Sequence, residues 1–412
     1  MLRKLATGLC VVALGLGVAV AAHADDSPAA AQDERPPVPQ NDSFYTPPSP
    51  LPDVPAGDVL RSREVTLYAE PFRVFPAPVK AHQVIYRSTS ATGAPNAVSG
   101  TVIVPPTPWI GPGPRPVMAY ALGTQGLGDQ CAPSYQLRVG TEIEIAFLVQ
   151  AMVKGWAVAL TDYEGLGTPG THTYATGVSS GRALLDVARA ATRLPGAGID
   201  PAAPIGVFGY SQGGQAAASA GEQHAGYAPE LNVRGTATGG VPSDLNLVAR
   251  SNNGGIGFGL VLGAAVGLSA AYPELGLDQA LNAEGKKLAE RVANACVAEM
   301  VVAAPFRRLN DFTTTPDVID QPKWQKRLAE NRLGTVKPSA PVYLYHGTID
   351  ELIPYSGAKE LKARYCAVGT NLEWHSIPLG EHVLTVSVWG TNALNWLGDR
   401  FAGKPTKNSC AG

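Results

Sequence analysis

At 412 residues the chain can form one large domain carrying an insertion, or two domains. Hydrophobic residues make up 45% and charged residues only 16%, so a sizeable core can form. The formal net charge is −2 with no long basic run, which argues against a nucleic-acid partner.

The first residues read as an export signal. Leu2, Arg3 and Lys4 give a positive start, residues 5–20 are apolar, and Ala22-His23-Ala24 fits a small-x-small cleavage site before Asp25. Residues 1–24 are therefore expected to be a signal peptide and the mature protein to be secreted or held in the cell envelope. The apolar run is short for a retained anchor, and Cys10 lies too early for a lipoprotein site. Cys131, Cys296, Cys366 and Cys410 remain, which suggests two disulfides in an oxidising compartment, with three pairings open by counting. No C-x-x-C spacing supports a zinc site. Residues 25–57, rich in Pro, Ala, Asp and Ser, read as a flexible or extended leader.

Residues 82–90 and 97–105 read as strands, followed by a Pro/Gly loop over 105–116 and a buried strand over 117–122. Gly123-Thr124-Gln125-Gly126-Leu127-Gly128 is a Gly-rich loop. Apolar spacing over 141–154 predicts a helix with a Glu-rich first turn, and 156–160 is another buried strand. Ser179 or Ser180 could cap a helix running to about 194, and strands follow at 205–208 and 233–239. This alternation argues for an α/β fold with a mostly parallel sheet covered on both faces. It stops over 242–338, which reads as an inserted helical cap, with a charged helix at 325–332. Gly257, Gly259 and Gly263 do not make a dinucleotide loop, because no strand precedes them and no ribose-binding acid is evident. Residues 256–272 are apolar enough to suggest a membrane span, but their Gly and Ala density favours a buried or lipid-lining helix pair. Strands resume at 341–345 and 372–377, and 385–401 is a closing helix. The core is thus expected over 58–241 and 339–412.

The chemistry centres on Gly209-Tyr210-Ser211-Gln212-Gly213. A G-x-S-x-G between a short strand and an Ala-rich helix is the context of a nucleophile elbow, whose tight turn needs residues without Cβ two before and two after the serine. Ser211 would then stand above the positive end of a helix. A serine hydroxyl needs a base, and the base an orienting carboxylate. In the order Ser, acid, His, Asp350 follows the 341–345 strand, with Glu351 as its rival and His346 reading as structural. His382 lies between the 372–377 strand and the last helix. Among the seven histidines, His172 in a Thr-rich loop is its serious competitor. Oxyanion donors are expected from the backbone N–H of Gln212 and from the 123–126 loop, where Thr124 or Gln125 would donate.

With these motifs together, and with Cys131-Ala132-Pro133-Ser134 and Asp162-Tyr163-Glu164-Gly165-Leu166-Gly167, the sequence resembles the secretory lipase family from about residue 43 to 410. The resemblance implies an α/β-hydrolase fold with a helical lid between elbow and acid, matching 242–338. It also implies disulfides Cys131–Cys296 and Cys366–Cys410, and an ester hydrolase active on substrates that include triacylglycerols. The expected protein is a secreted serine carboxylic-ester hydrolase using Ser211, Asp350 and His382, with Gln212 and Thr124 at the oxyanion and no metal or cofactor. Its partner would be a lipid or other ester, met at a lipid interface. Two rivals share these features: an exported acyltransferase with the same three side chains, and a non-catalytic lipid-binding protein of hydrolase fold.

Overall fold

A computed structural model describes residues 35–410. The signal-peptide reading and Cys10 lie outside them. Among the described residues nine strands form one sheet: β1 (Val59–Glu64), β2 (Lys80–Thr89), β3 (Pro95–Val104), β4 (Val117–Ala121), β5 (Ala157–Thr161), β6 (Pro204–Tyr210), β7 (Asn232–Gly239), β8 (Val342–Gly347) and β9 (Leu372–Ile377). Their order is β1-β2-β3-β5-β4-β6-β7-β8-β9. β1, β2 and β3 pair antiparallel, as does β3 with β5, and from β5 to β9 every neighbour is parallel. This is the α/β-hydrolase fold.

Strands β4 and β5 are buried along their whole length, which is why they read as continuous apolar runs rather than alternating ones. In β6 the period of two is decisive. Ile205 and Val207 face the Ala-rich α3 (Gly177–Arg193) and α4 (Gln212–Tyr227). Phe208 faces the opposite layer with Leu148, Leu394 and Leu397. That layer holds α2 (Ile145–Val153) and α12 (His382–Phe401), while α1 (Pro133–Val139) packs near β3. Between β8 and β9 lies α11 (Tyr355–Ala367).

Between β7 and β8 the chain forms α5 (Leu245–Asn252), α6 (Phe258–Ala271), α7 (Leu277–Ala280), α8 (Ala283–Ala293), α9 (Val297–Val301) and α10 (Pro322–Glu330). These have their own core around Phe258, Leu262, Tyr272, Phe312 and Trp324. Gly259 belongs to helix packing: a Cβ there would stand 1.8 Å from the Met300 carbonyl oxygen, so glycine lets α6 lie against α9. No described single helix is long and apolar enough to cross a membrane, and α6 and the segment after it are bent by 117°.

Several local expectations change. Within the expected leader, residues 42–45 are packed rather than loose: Phe44 and Tyr45 are buried with Ile85, and Asp42 pairs with Arg63 and Arg138. Helix α1 was hidden because Pro133 reads as a loop residue yet suits a first helical turn, and Gly140 closes it in the left-handed region. Ser179 and Ser180 do not cap α3. The helix begins at Gly177, so both lie inside it and are buried, with Ser179 Oγ donating to the Thr176 carbonyl. Helix α12 begins at His382 rather than 385, because Glu381 caps it through Val383 N and Leu384 N.

Cys131 is joined to Cys296 and Cys366 to Cys410, with Cα–Cα distances of 5.5 and 5.2 Å. The first bond ties the segment after β4 to the start of α9. Backbone bonds run beside it, from Val297 N to Gln125 O at 2.8 Å and from Leu127 N to Ala295 O at 2.9 Å.

Candidate active site

Ser211 stands between β6 and α4 with φ 59° and ψ −122°, a conformation costly for any residue with a side chain. The turn is held by contacts only glycine permits. A Cβ on Gly209 would lie 2.1 Å from the Gly213 oxygen, and one on Gly213 would lie 1.9 Å from the Ala121 oxygen. The register Ala121↔Gly209 brings the end of β4 beside the elbow, so the loop that follows passes next to Ser211.

The structure brings Ser211, His382 and Asp350 together. His382 Nε2 is 2.9 Å from Ser211 Oγ, and His382 Nδ1 is 2.8 Å from Asp350 Oδ2. Asp350 accepts at its other oxygen from Leu352 N at 3.1 Å and Ile353 N at 2.8 Å. Burial works to raise the Asp350 pKa, but the hydrogen bond from His382, the two neighbouring imidazoles and the Ile353 N–H together hold it below the ordinary value. The carboxylate therefore stays charged, fixes a proton on Nδ1, and leaves Nε2 able to take one from the serine.

The rivals occupy other posts. Glu351 accepts from the His382 backbone N–H at 3.1 Å and so supports the start of α12 rather than the imidazole. His346 is fully buried, and its Nε2 lies 2.9 Å from the Ile353 oxygen and 3.3 Å from Asp350 Oδ2. His172 lies close by but binds Gln212, with its Nε2 3.0 Å from Gln212 Nε2. Tyr210, which sequence reasoning passed over, donates to the His382 carbonyl at 2.7 Å and lies with its ring 5.2 Å from the imidazole.

Ser211, Gln212 and Thr124 line one cavity, whose other walls are largely apolar and include Leu245, Leu260, Val261, Leu268 and Trp324 from the helices between β7 and β8. Such a site suits an apolar chain leading to one polar reacting centre. Gln125 is buried and bonded back to the Gly123 carbonyl, whereas the Thr124 hydroxyl lies 3.0 Å from the Tyr174 hydroxyl.

Glu142 and Glu144 were expected in the first turn of a helix. They precede it, with Glu142 buried and Glu144 half-buried. Glu144 accepts from Gly123 N at 2.7 Å and from the Tyr120 hydroxyl, which pins the loop after β4. Burial, then the neighbouring Glu144 charge, pushes Glu142 up to about 8. Its folded value is above the ordinary 4.5, so the folded chain binds a proton that the unfolded chain has lost. Stability should fall as pH rises from about 4.5 through about 8. Glu142→Gln removes this titration and is expected to stabilise the fold at pH 9, by on the order of a few kcal/mol, but hardly at pH 4. Urea unfolding at the two pH values measures this, and equal shifts at both would refute it.

A sequence profile described as "Secretory lipase" matches residues 132–409. A Mycobacterium tuberculosis protein named "Probable inactive lipase" is 34% identical, over 90% of this chain and 84% of its own. The "Secreted triacylglycerol lipase" of Malassezia globosa is 31% identical, over 91% of this chain and 84% of its own. Among solved structures, Candida antarctica lipase A in its closed state superposes with a TM-score of 0.81 at 26% identity, over 92% of this chain and 90% of that one. With the profile spanning more than half of the residues and relatives aligned over nine-tenths of them, the chain belongs to the secretory lipase family.

Proposed function

We propose that the protein is a secreted serine carboxylic-ester hydrolase acting on lipid esters, triacylglycerols among them, through an acyl-enzyme on Ser211. The observation that carries this is His382 Nε2 at 2.9 Å from Ser211 Oγ while Nδ1 is held at 2.8 Å by a charged Asp350. Ser211 Oγ attacks the ester carbonyl carbon as His382 Nε2 takes its proton. The oxyanion is held by the backbone N–H groups of Gln212, at the first turn of α4, and of Thr124. The tetrahedral intermediate expels the alkoxide, which takes the proton from His382. Water then attacks the acyl group, His382 takes and returns a proton, and the carboxylic acid leaves with Ser211 restored. The helices of residues 242–338 would be the cap over this site, and their apolar wall supports a lipid acyl group. Residues 1–24 as an export signal and the two disulfides support secretion.

The name of the Mycobacterium relative favours a second reading, a hydrolase-fold lipid binder without turnover. One experiment separates them: hydrolysis of p-nitrophenyl esters from acetyl to oleoyl, with a fluorophosphonate probe located by peptide mapping. Turnover with the label on Ser211 is expected. No turnover of any ester and no label on Ser211 would favour the binder.

A further inference from the structure

Residues 172–174, between β5 and α3, touch both proposed oxyanion donors. His172 is fully buried. Its Nδ1 lies 2.9 Å from the Glu164 carbonyl oxygen, which only accepts, so Nδ1 carries the proton and Nε2 accepts from the Gln212 side-chain amide at 3.0 Å. Burial pushes the imidazole down to about 4, against the raising effect of that carbonyl, which keeps this tautomer at neutral pH. Two residues on, the Tyr174 hydroxyl lies 3.0 Å from Thr124 Oγ1.

The segment itself is braced. Thr173 N donates to the Glu164 oxygen at 3.1 Å, and Thr173 Oγ1 pairs with Ser179 Oγ at 3.1 Å. His172 stacks on Tyr163 with ring centres 5.9 Å apart, and the Tyr163 hydroxyl donates to the Leu122 carbonyl at 2.6 Å, two residues before Thr124. From the other side, α6 closes on the Tyr174 backbone at Gly267, where a Cβ would stand 2.4 Å from Tyr174 N and O.

We propose that His172 and Tyr174 are positioning residues for the oxyanion hole, the imidazole fixing Gln212 and the phenol fixing Thr124, so that one braced segment sets the spacing of two donors carried by separate loops. The bond between the Tyr174 phenol and Thr124 Oγ1 fixes the threonine side chain and with it the backbone N–H offered to the oxyanion. The inference rests on the acyl-enzyme reading of Ser211. It explains why a buried histidine stands beside the nucleophile without touching it: its partner is the residue whose N–H the oxyanion needs.

Tyr174→Phe removes one hydroxyl and keeps the ring. His172→Phe keeps a ring on Tyr163 but removes the acceptor for Gln212. Each is expected to lower kcat on a short, soluble p-nitrophenyl ester about 10- to 100-fold, less than loss of a whole oxyanion donor, with KM changed less than about 3-fold. Each should also weaken an alkylboronic acid, which forms a tetrahedral adduct on Ser211, by a factor close to the loss in kcat. A Thr124→Val background should cancel most of the Tyr174→Phe effect. A merely structural role would lower melting temperature and active fraction without changing boronate affinity per active site, and that result overturns the proposal. So would variants within about 2-fold of the parent in both readouts. Should His172→Phe fail to fold, Tyr174→Phe alone decides. A parent protein with neither turnover nor fluorophosphonate labelling would instead refute the ester-hydrolase reading beneath it.

Discussion

Replacing Asp350 by Asn is expected to lower kcat on esters by about 10⁴-fold with little change in fold. The size follows from hydrogen-bond bookkeeping around one carboxyl group. Asp350 Oδ1 accepts from the N–H groups of Leu352 and Ile353, at 3.1 and 2.8 Å, while Oδ2 faces His382 Nδ1 at 2.8 Å. An asparagine has one oxygen to serve both sides. The two backbone N–H groups cannot change, so the amide oxygen stays with them and the NH₂ turns to the imidazole. His382 must then leave Nδ1 unprotonated and carry its proton on Nε2, towards Ser211 Oγ. In that tautomer it donates to the serine and cannot take the serine's proton. Glu351→Gln is the matched control. The Glu351 carboxylate accepts from the His382 backbone N–H at 3.1 Å rather than from the imidazole, so the substitution should cost less than about 10-fold. Steady-state kinetics on a soluble ester, with circular dichroism to check the fold, measure both. An Asp350→Asn variant retaining a tenth of the parent kcat, or a Glu351→Gln variant losing more than it, would remove Asp350 from the role given to it.

The same cluster shows what a sequence can and cannot announce. The elbow was legible because its requirement is local: a strand, a serine at positive φ and glycines two residues to either side are read within one short window. Asp350 and His382 were legible by order, since Asp350 follows the buried run of β8, His382 follows the next strand, β9, and the fold restricts the acid and base to the loops there. The parallel sheet was legible for the same reason, the buried runs over β4, β5, β6 and β8 being unbroken. Glu144, His172 and Tyr174 were not legible. Their meaning lies in Gly123, Gln212 and Thr124, partners 21, 40 and 50 residues away, and no periodicity encodes a single contact of that kind. The Glu142 and Glu144 pair even misled, because acidic residues before an apolar stretch are the usual sign of a helix start. Capping erred for a related reason. Ser179 and Ser180 have the right chemistry to cap, but burial against neighbouring elements placed the helix start before them.

Gly213→Ala should be among the most damaging single substitutions to stability that this fold allows, although helix propensity alone predicts the opposite sign. In the interior of a helix, Ala is favoured over Gly by about 0.5–1 kcal/mol. Gly226, near the end of α4, is the place to see that gain, because a Cβ there would meet nothing within 4 Å. At Gly213 the Cβ would lie 1.9 Å from the Ala121 oxygen, 2.7 Å from the Ala121 carbonyl carbon and 2.8 Å from the Leu122 oxygen. All three atoms are backbone at the exit of β4, so no rotamer change relieves the clash. The elbow and β4 must move apart by roughly 1 Å, at a cost of about 3 kcal/mol or more. The movement separates Gln212 from the loop that carries Thr124, and misplacement on that scale is worth about 10²-fold in rate. Gly213→Ala should therefore lose both urea midpoint and kcat, whereas Gly226→Ala should match or exceed the parent in both. If the two variants unfold at the same urea concentration, the close approach of elbow and strand is not what holds the nucleophile in place.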